Sequence, residues 1–551
     1  MKTSRPWQAL GFALCSVLAS SASAEEDQCY LHRELSPERL LRRLSLDLRG
    51  VVPDVAEYEA VEGVDEIPPE VIKAYLDSDE FRLQMRRYHE SLLWTNPNVA
   101  LGNVNFALTT ARFPDTTLVY YVPGAGNSRL FRGGDGTHFC QNRPQSELGY
   151  DAASGLPNAE PAGVDGTGAF VAEGWVEVHP YWDANPNATI KVCAFDAQTT
   201  EKYTLPDGDP DAGTHSCDSV LAIKSKSCGC GPNLNYCMVS GTVQPAVLTS
   251  MREQLLRLVD DHTSGQEPYS RLITTKRSWV NGPLTHYATY LGQRQSLSLT
   301  QNVRQPADGV LPELPFTAAD QWVQIERESP HSGILTLPAY LLRFQTNRAR
   351  ANRFRIAFEG QHFQPSGTKD TGCAKEGDDL TQRCVCRGCH VTLEPLAAHF
   401  GVFVESGTTA LRDFEPAYPT ASACAKGIAP RNAGWCDRYY SAVPDLVDPD
   451  IRTYKLKALQ YDDAAHPLIG PNFDEGPEGI AQANIDSGLF HVIATRHMFE
   501  FLMKRAPNLD ATSTDYEGKL IEEIAEEFRT HDNFKLLVER LLTLSIYRRM
   551  P

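Results

Sequence analysis

Ser36-Pro37-Glu38-Arg39-Leu40-Leu41-Arg42-Arg43-Leu44-Ser45-Leu46-Asp47-Leu48-Arg49-Gly50 is the stretch from which the fold class is read. Ser36 is an N-cap residue, and Pro37 fits a first helical turn, where no backbone N–H has an internal partner. Leu40, Leu41, Leu44 and Leu48 recur at three- and four-residue spacing and predict one buried stripe, which Gly50 terminates. Outward from this helix, Pro53-Asp54 opens a second, short one. Asp79 to Trp94 predicts a third, with Phe81, Met85, Tyr88, Leu92 and Leu93 on its buried side. Helical periodicity returns at Ala246 to Val259, at Pro268 to Tyr290, beyond Gly333 to Phe344, and at Gly488 to Lys504 and Tyr516 to Tyr547. The chain therefore reads as mainly α, a multi-domain helical protein.

One part departs from that pattern. Residues 97–243 are rich in Gly, Pro, Asn and Asp and carry six of the cysteines. Thr117 to Val122, Phe170 to Val178 and Thr189 to Phe195 have strand preference, so this part reads as an irregular, disulfide-rich, β-containing insertion. The expected organisation is a signal peptide (1–24), an N-terminal helical domain (25–96), the Cys-rich insertion (97–243), a helical domain (244–365), a cytochrome c-like haem segment (366–480) and a C-terminal helical domain (481–551).

The first residues predict export. Lys2 and Arg5 precede an apolar run from Ala9 to Leu18, and Ala22-Ser23-Ala24 forms a small-residue cleavage site. That run is too short to span a bilayer, and no later stretch approaches roughly 20 apolar residues, so no transmembrane segment is expected. The periplasm is the expected compartment, with the cell surface or exterior as alternatives, and disulfides persist in all of them. The formal charge of −18 argues against nucleic acid as a partner. It permits steering toward a basic redox partner protein, although solubility is the commoner reason for such a charge.

Cys386-Arg387-Gly388-Cys389-His390 carries the chemistry. Two thiols three residues apart can each add to a vinyl group of one porphyrin, and the adjacent histidine then serves as the proximal iron ligand. The same spacing also serves disulfides beside an ordinary histidine, zinc sites and redox dithiols. Export favours one covalent haem c. Setting aside Cys15 and the two haem thiols leaves eleven of the 14 cysteines, an odd number. Cys373 with Cys384 and Cys424 with Cys436 are candidate local pairs.

The sixth iron position decides between electron transfer and catalysis. No methionine lies between Met251 and Met498, which excludes a compact cytochrome domain with its Met ligand shortly after the motif. Met498 and then His497 are the distal candidates, although the apolar pattern of their helix favours core packing over ligation. His399, His466 and His491 also follow the motif. Asp207, Asp209 and Asp211 alternate, with Asp218 beyond, in the manner of a calcium loop. Pro210 and the position of Gly213 spoil that match, and a solvated acidic loop is the plainer reading. The chain has no HExxH, GxSxG or GxxxxGK[ST] pattern, which leaves hydrolase and nucleotide readings without support.

Three stretches resemble the large exported cytochrome-like proteins of planctomycetes and myxobacteria, built from domains of unknown function. Leu41 to Pro53 is similar to that group's "RRL-x-LDL-x-G-x-x-P" helix and turn, and Gly333 to Ala339 to its "GiLT-x-pa" segment. Cys386 to His390, with Glu394-Pro395-Leu396 and Phe403 to Gly407, resembles its "CxxCH…dPl…f…G" signature, and the final helices ending Ser545-Ile546-Tyr547-Arg548 are similar too. Glu394 stands where the group has Asp, and the 97–243 insertion lies outside the likeness. The resemblance implies haem binding and a mainly helical fold. The resulting expectation is an exported monohaem c-type cytochrome-like protein in electron transfer. The alternatives are a haem enzyme, peroxidase- or oxygenase-like with an open distal site, and a surface-binding module with accessory haem.

Overall fold

Pro37–Leu48 (α1) is the helix that its leucine spacing requires. Leu40, Leu41, Leu44 and Leu48 are all buried. Gly50 turns the chain away at φ +72°, in the left-handed region where a Cβ is costly. Ser36 occupies the N-cap in extended backbone, but its side chain makes no capping hydrogen bond. Val55–Glu59 (α2) has the full arrangement, Asp54 and Glu57 capping each other's backbone N–H groups.

The computed structural model describes residues 34–97, 99–101, 107–112, 119–123, 140–150, 173–208, 212–217, 228–292, 309–362, 386, 389–390, 392–393, 396–397, 399–403, 405–410, 440–444, 452–456 and 475–549. The expected signal peptide, Cys373, Cys384, Cys424, Cys436 and His466 lie outside them.

In chain order the further elements are Pro69–Leu76 (α3), Asp79–Leu93 (α4), Leu108–Arg112 (β1), Val119–Pro123 (β2), Trp175–Val178 (β3), Ile190–Cys193 (β4), Lys202–Leu205 (β5), Gly213–Ser216 (β6), Ser240–Thr263 (α5) and Arg277–Val280 (β7). Gly282–His286 (α6), Val323–Glu326 (β8), Pro338–Arg343 (α7), Asn347–Phe358 (α8), Tyr440–Pro444 (β9), Arg452–Leu456 (β10), Pro477–Asp486 (α9), Leu489–Met503 (α10), Gly518–His531 (α11) and Phe534–Leu542 (α12) follow, with shorter helical turns between them. The protein is thus mainly helical with a few small sheets. No helix among the described residues is long and apolar enough to cross a membrane.

Contacts group the chain into two compact units. One comprises Met1–Gln84, Thr495–Ile524 and Lys535–Pro551; the other comprises Met85–Ala494 and Ala525–Phe534. The amino- and carboxyl-terminal segments, distinct in sequence, therefore share a unit, because a strip of α1 needs a partner to cover it. Asp47 is buried there and accepts from Tyr547 Oη at 3.0 Å, while Lys504 Nζ lies 2.9 Å from its other oxygen. The Arg43 guanidinium stacks 4.4 Å from the Tyr547 ring centre and donates to the Arg549 carbonyl.

The second unit is built on α5. Arg86 reaches from α4 to Glu253 at 2.9 Å and Asp260 at 2.5 Å on one face of that helix. His89, in the buried stripe of α4, bonds Tyr269 Oη at 3.0 Å, and Phe490, Phe528 and Phe534 pack around the Tyr269 ring. The strand-rich part forms a four-stranded sheet ordered β1-β2-β4-β3 and a β5–β6 hairpin. Three disulfides join Cys140 to Cys193, Cys217 to Cys228 and Cys230 to Cys237. The last two lie in a core cluster with Leu108, Val192, Tyr203 and Leu234.

Two helical expectations are corrected. Pro268 to Tyr290 is not one helix. Within it, β7 alternates half-buried and buried side chains and pairs with β8, register Arg277↔Glu326 to Val280↔Val323. A period-2 pattern of four residues is hidden inside a longer apolar run, and Asn281-Gly282-Pro283 then restarts a helix with Asn281 as its cap. Gly282 is needed at that point because a Cβ would collide with the Pro315 carbonyl. Tyr516 to Tyr547 is likewise broken, since Asp532 adopts φ +47° between α11 and α12. Its carboxylate is used there, accepting from Ser270 Oγ at 2.5 Å and lying 3.3 Å from His491 Nε2.

Candidate functional site

Cys386, Cys389 and His390 all have helical backbone, as do Thr392, Leu393, Leu396 and Ala397 beyond them. At positions i, i+3 and i+4 the three motif side chains share one face of that helix. All three are half-buried, and Cys386 and Cys389 are free thiols. Leu396 and Phe400, further along the chain, are fully buried and tie the segment to the core. Phe400 stacks on Tyr340 of α7, ring centres 6.3 Å apart.

Polar contacts hold the motif in register with α8. Thr392 Oγ1 donates to the Cys389 carbonyl at 3.2 Å and accepts from Arg355 Nη1 at 3.1 Å. Arg355 is itself buried and bonds Asn352 through Nη2. Next to it, burial pushes the Glu359 carboxyl up to about 7, although the Arg355 charge acts in the opposite direction. Further along, the wholly buried Arg350 bonds the carbonyls of Leu341, Phe344, Phe403 and Gly407 at 2.9–3.5 Å, and the side chain of Asn347 at 3.1 Å. Arg350 thus pins the loop after the motif onto α7 and α8.

A haem attached through two thioethers needs two reduced thiols one helical turn apart and an imidazole on the same face. The helix presents two free thiols, Cys386 and Cys389, with His390 on the same face. The three disulfides elsewhere remove competing thiols among the described residues.

The remaining expected site residues are scattered. Met498 is fully buried in α10. His497, beside it, has Nδ1 3.9 Å from the Glu500 carboxylate. Both belong to the unit that does not contain the motif. His399 is buried and its Nδ1 meets the Gly476 carbonyl at 3.1 Å, and His491 is engaged with Asp532. Asp207 is exposed at the start of the β5–β6 connection, while Asp209 and Asp211 lie outside the described residues. Among the described residues, no group of three or more His, Cys, Asp or Glu is placed to hold a metal ion.

Sequence reasoning passed over His286. It is 5 % exposed, lies face to face with Tyr181 at 3.6 Å, and neither ring nitrogen has a partner. Burial pushes its pKa down to about 3, so the imidazole is neutral. A π-helical turn, Tyr287–Leu291, follows immediately, a geometry frequent at functional sites. The signal in the sequence was faint: one histidine within an apolar run that resembled ordinary helix.

No family model, no curated protein and no solved structure matches this chain.

Proposed function

We propose that this chain is an exported monohaem c-type cytochrome-like protein acting in electron transfer. The observation that carries the reading is the pair of free, half-buried thiols Cys386 and Cys389 on one helical turn with His390. Each thiol would add its S–H across a porphyrin vinyl group, a step that consumes no oxidant and releases nothing. His390 would supply the proximal nitrogen. Haem held there supplies a one-electron iron couple. Arg355 and Thr392 orient the helix turn that carries Cys389, and the buried side chains Leu396 and Phe400 keep that turn from pivoting. The acidic surface would orient a basic redox partner protein at low ionic strength.

The test is secretion from a host with a functioning cytochrome c maturation system. Haem that stays on the polypeptide through denaturing electrophoresis is expected, and Cys386→Ala with Cys389→Ala should abolish it. A colourless wild-type product, beside a control cytochrome that matures, would overturn the reading. A low-spin iron indifferent to carbon monoxide is expected; a high-spin iron that binds it would move the assignment from electron transfer to haem catalysis.

A further inference from the structure

In β8 the side chains alternate, Val323 and Ile325 half-buried and Gln324 and Glu326 exposed. Arg327 continues the alternation on the Ile325 side, and its N–H extends the ladder to the Lys276 carbonyl at 2.9 Å. Its guanidinium therefore stands where the pattern calls for an apolar side chain. Among the described residues, the oxygens that bond it are all neutral. Nε donates to Lys276 O at 3.4 Å, Nη1 to Thr336 Oγ1 at 3.1 Å, and Nη2 to Gly333 O at 3.0 Å and Thr275 O at 3.5 Å. No carboxylate among the described residues forms an ion pair with it, and one of its five donors, on Nη1, is unused.

Desolvation brings the Arg327 pKa down to about 9, although the nearby Glu326 charge acts in the opposite direction. Arg327 nevertheless keeps accessible surface and lines a cavity of about 190 Å³. Val280, Leu284, Val310, Leu311, Leu337 and Pro338 form apolar walls, and Thr408 to Ala410, from the loop after the CxxCH motif, close one side. In the same lining, the Gln254 amide nitrogen donates to Trp279 O at 2.7 Å, which fixes the amide's orientation and leaves Oε1, buried, without a partner. Glu328 also contributes to the lining, but its side chain is exposed. The Glu326 carboxylate acts on Arg327 at a distance but is not bonded to it, and a half-buried guanidinium that faces a cavity is placed to receive a carboxylate from a ligand. The void exceeds the roughly 150 Å³ that admits a benzene-sized guest.

We propose that this cavity binds a small organic carboxylate with an apolar body, its carboxylate received by Arg327 and its body by the aliphatic walls. The lining does not include the CxxCH residues, and the haem-free chain is enough to test the site.

Calorimetric titration of the full exported chain with benzoate and hexanoate, and with benzamide and hexanamide as neutral counterparts, tests it. The acids should bind at least tenfold more tightly than their amides, and Arg327→Met should erase that preference. Because Arg327 also braces Gly333 and Thr275, a second variant leaves it in place: Ala288→Leu, which fills the cavity from the π-helical turn, should weaken acid binding at least tenfold. Equal affinity for acids and amides, no acid binding at millimolar concentration, or indifference to Ala288→Leu would each refute the site. Comparing chains with and without attached haem identifies the carboxylate's source. A free acid binds both forms, whereas a haem propionate seated on Arg327 blocks the probe in the haem-bearing form alone. A colourless chain leaves the haem-free titration valid as it stands.

Discussion

Replacing Glu359 with Gln should stabilise the protein at pH 8 and leave it nearly unchanged at pH 4. Glu359 is 5 % exposed at the end of α8, its Oε1 has no partner, and burial lifts its pKa from 4.5 to about 7. The sign follows from linkage. Between pH 4.5 and 7 the folded chain holds a proton here that the unfolded chain has released, so stability declines as pH rises across that window. Below 4.5 both states are protonated and the penalty is absent; above 7 it is complete. A shift of this size corresponds to about 3 kcal/mol at pH 8, at 1.36 kcal/mol per pKa unit. Glutamine has nearly the shape of the protonated acid and never ionises, so Glu359→Gln should recover most of that amount. Urea unfolding followed by near-ultraviolet circular dichroism at pH 4 and pH 8, wild type against variant, measures it. Destabilisation at pH 8, or the same difference at both pH values, would refute the reasoning. It would mean that the carboxylate is ionised and paired in the folded state.

Two further outcomes are expected. Arg350→Met should cost about 3–5 kcal/mol in the same assay, because four backbone carbonyls would lose a charged donor inside the core; a loss under 1 kcal/mol would show that water or neighbouring N–H groups replace it. Removing the Cys140–Cys193 disulfide, which spans 53 residues, should cost about 4 kcal/mol, against about 2 kcal/mol for Cys230–Cys237, which spans 7. Paired Cys→Ser variants compared by thermal unfolding check the order, and a reversed order would show that local packing outweighs chain entropy.

The sequence was most legible where one local rule operates alone. The leucine stripe of α1 and the glycine behind it needed only a 3.6-residue period and a left-handed stop. Strand preference located β2, β3 and β4 to within a few residues, except that β3 began five residues later than read. The pattern failed where two rules compete over a few residues. Arg277-Ser278-Trp279-Val280 is too short to assert a strand within an apolar run, and only its pairing with Val323–Glu326 settles it. Asp532 breaks a long helical signal because its carboxylate has partners on Ser270, more than 250 residues earlier.

The same division holds for the site. By itself the sequence determined that Cys386, Cys389 and His390 stand together, since their spacing is a property of one helical turn and needs no other part of the chain. It determined the helical class for the same reason. Tertiary structure alone decided what surrounds those residues. It placed Arg355 under Thr392, brought four carbonyls from separate segments onto Arg350, and set Arg327 against a cavity with aliphatic walls. A charge in a strand reads as surface until the folded chain removes the water around it. Burial and partnership depend on distant segments meeting, and no local spacing encodes them.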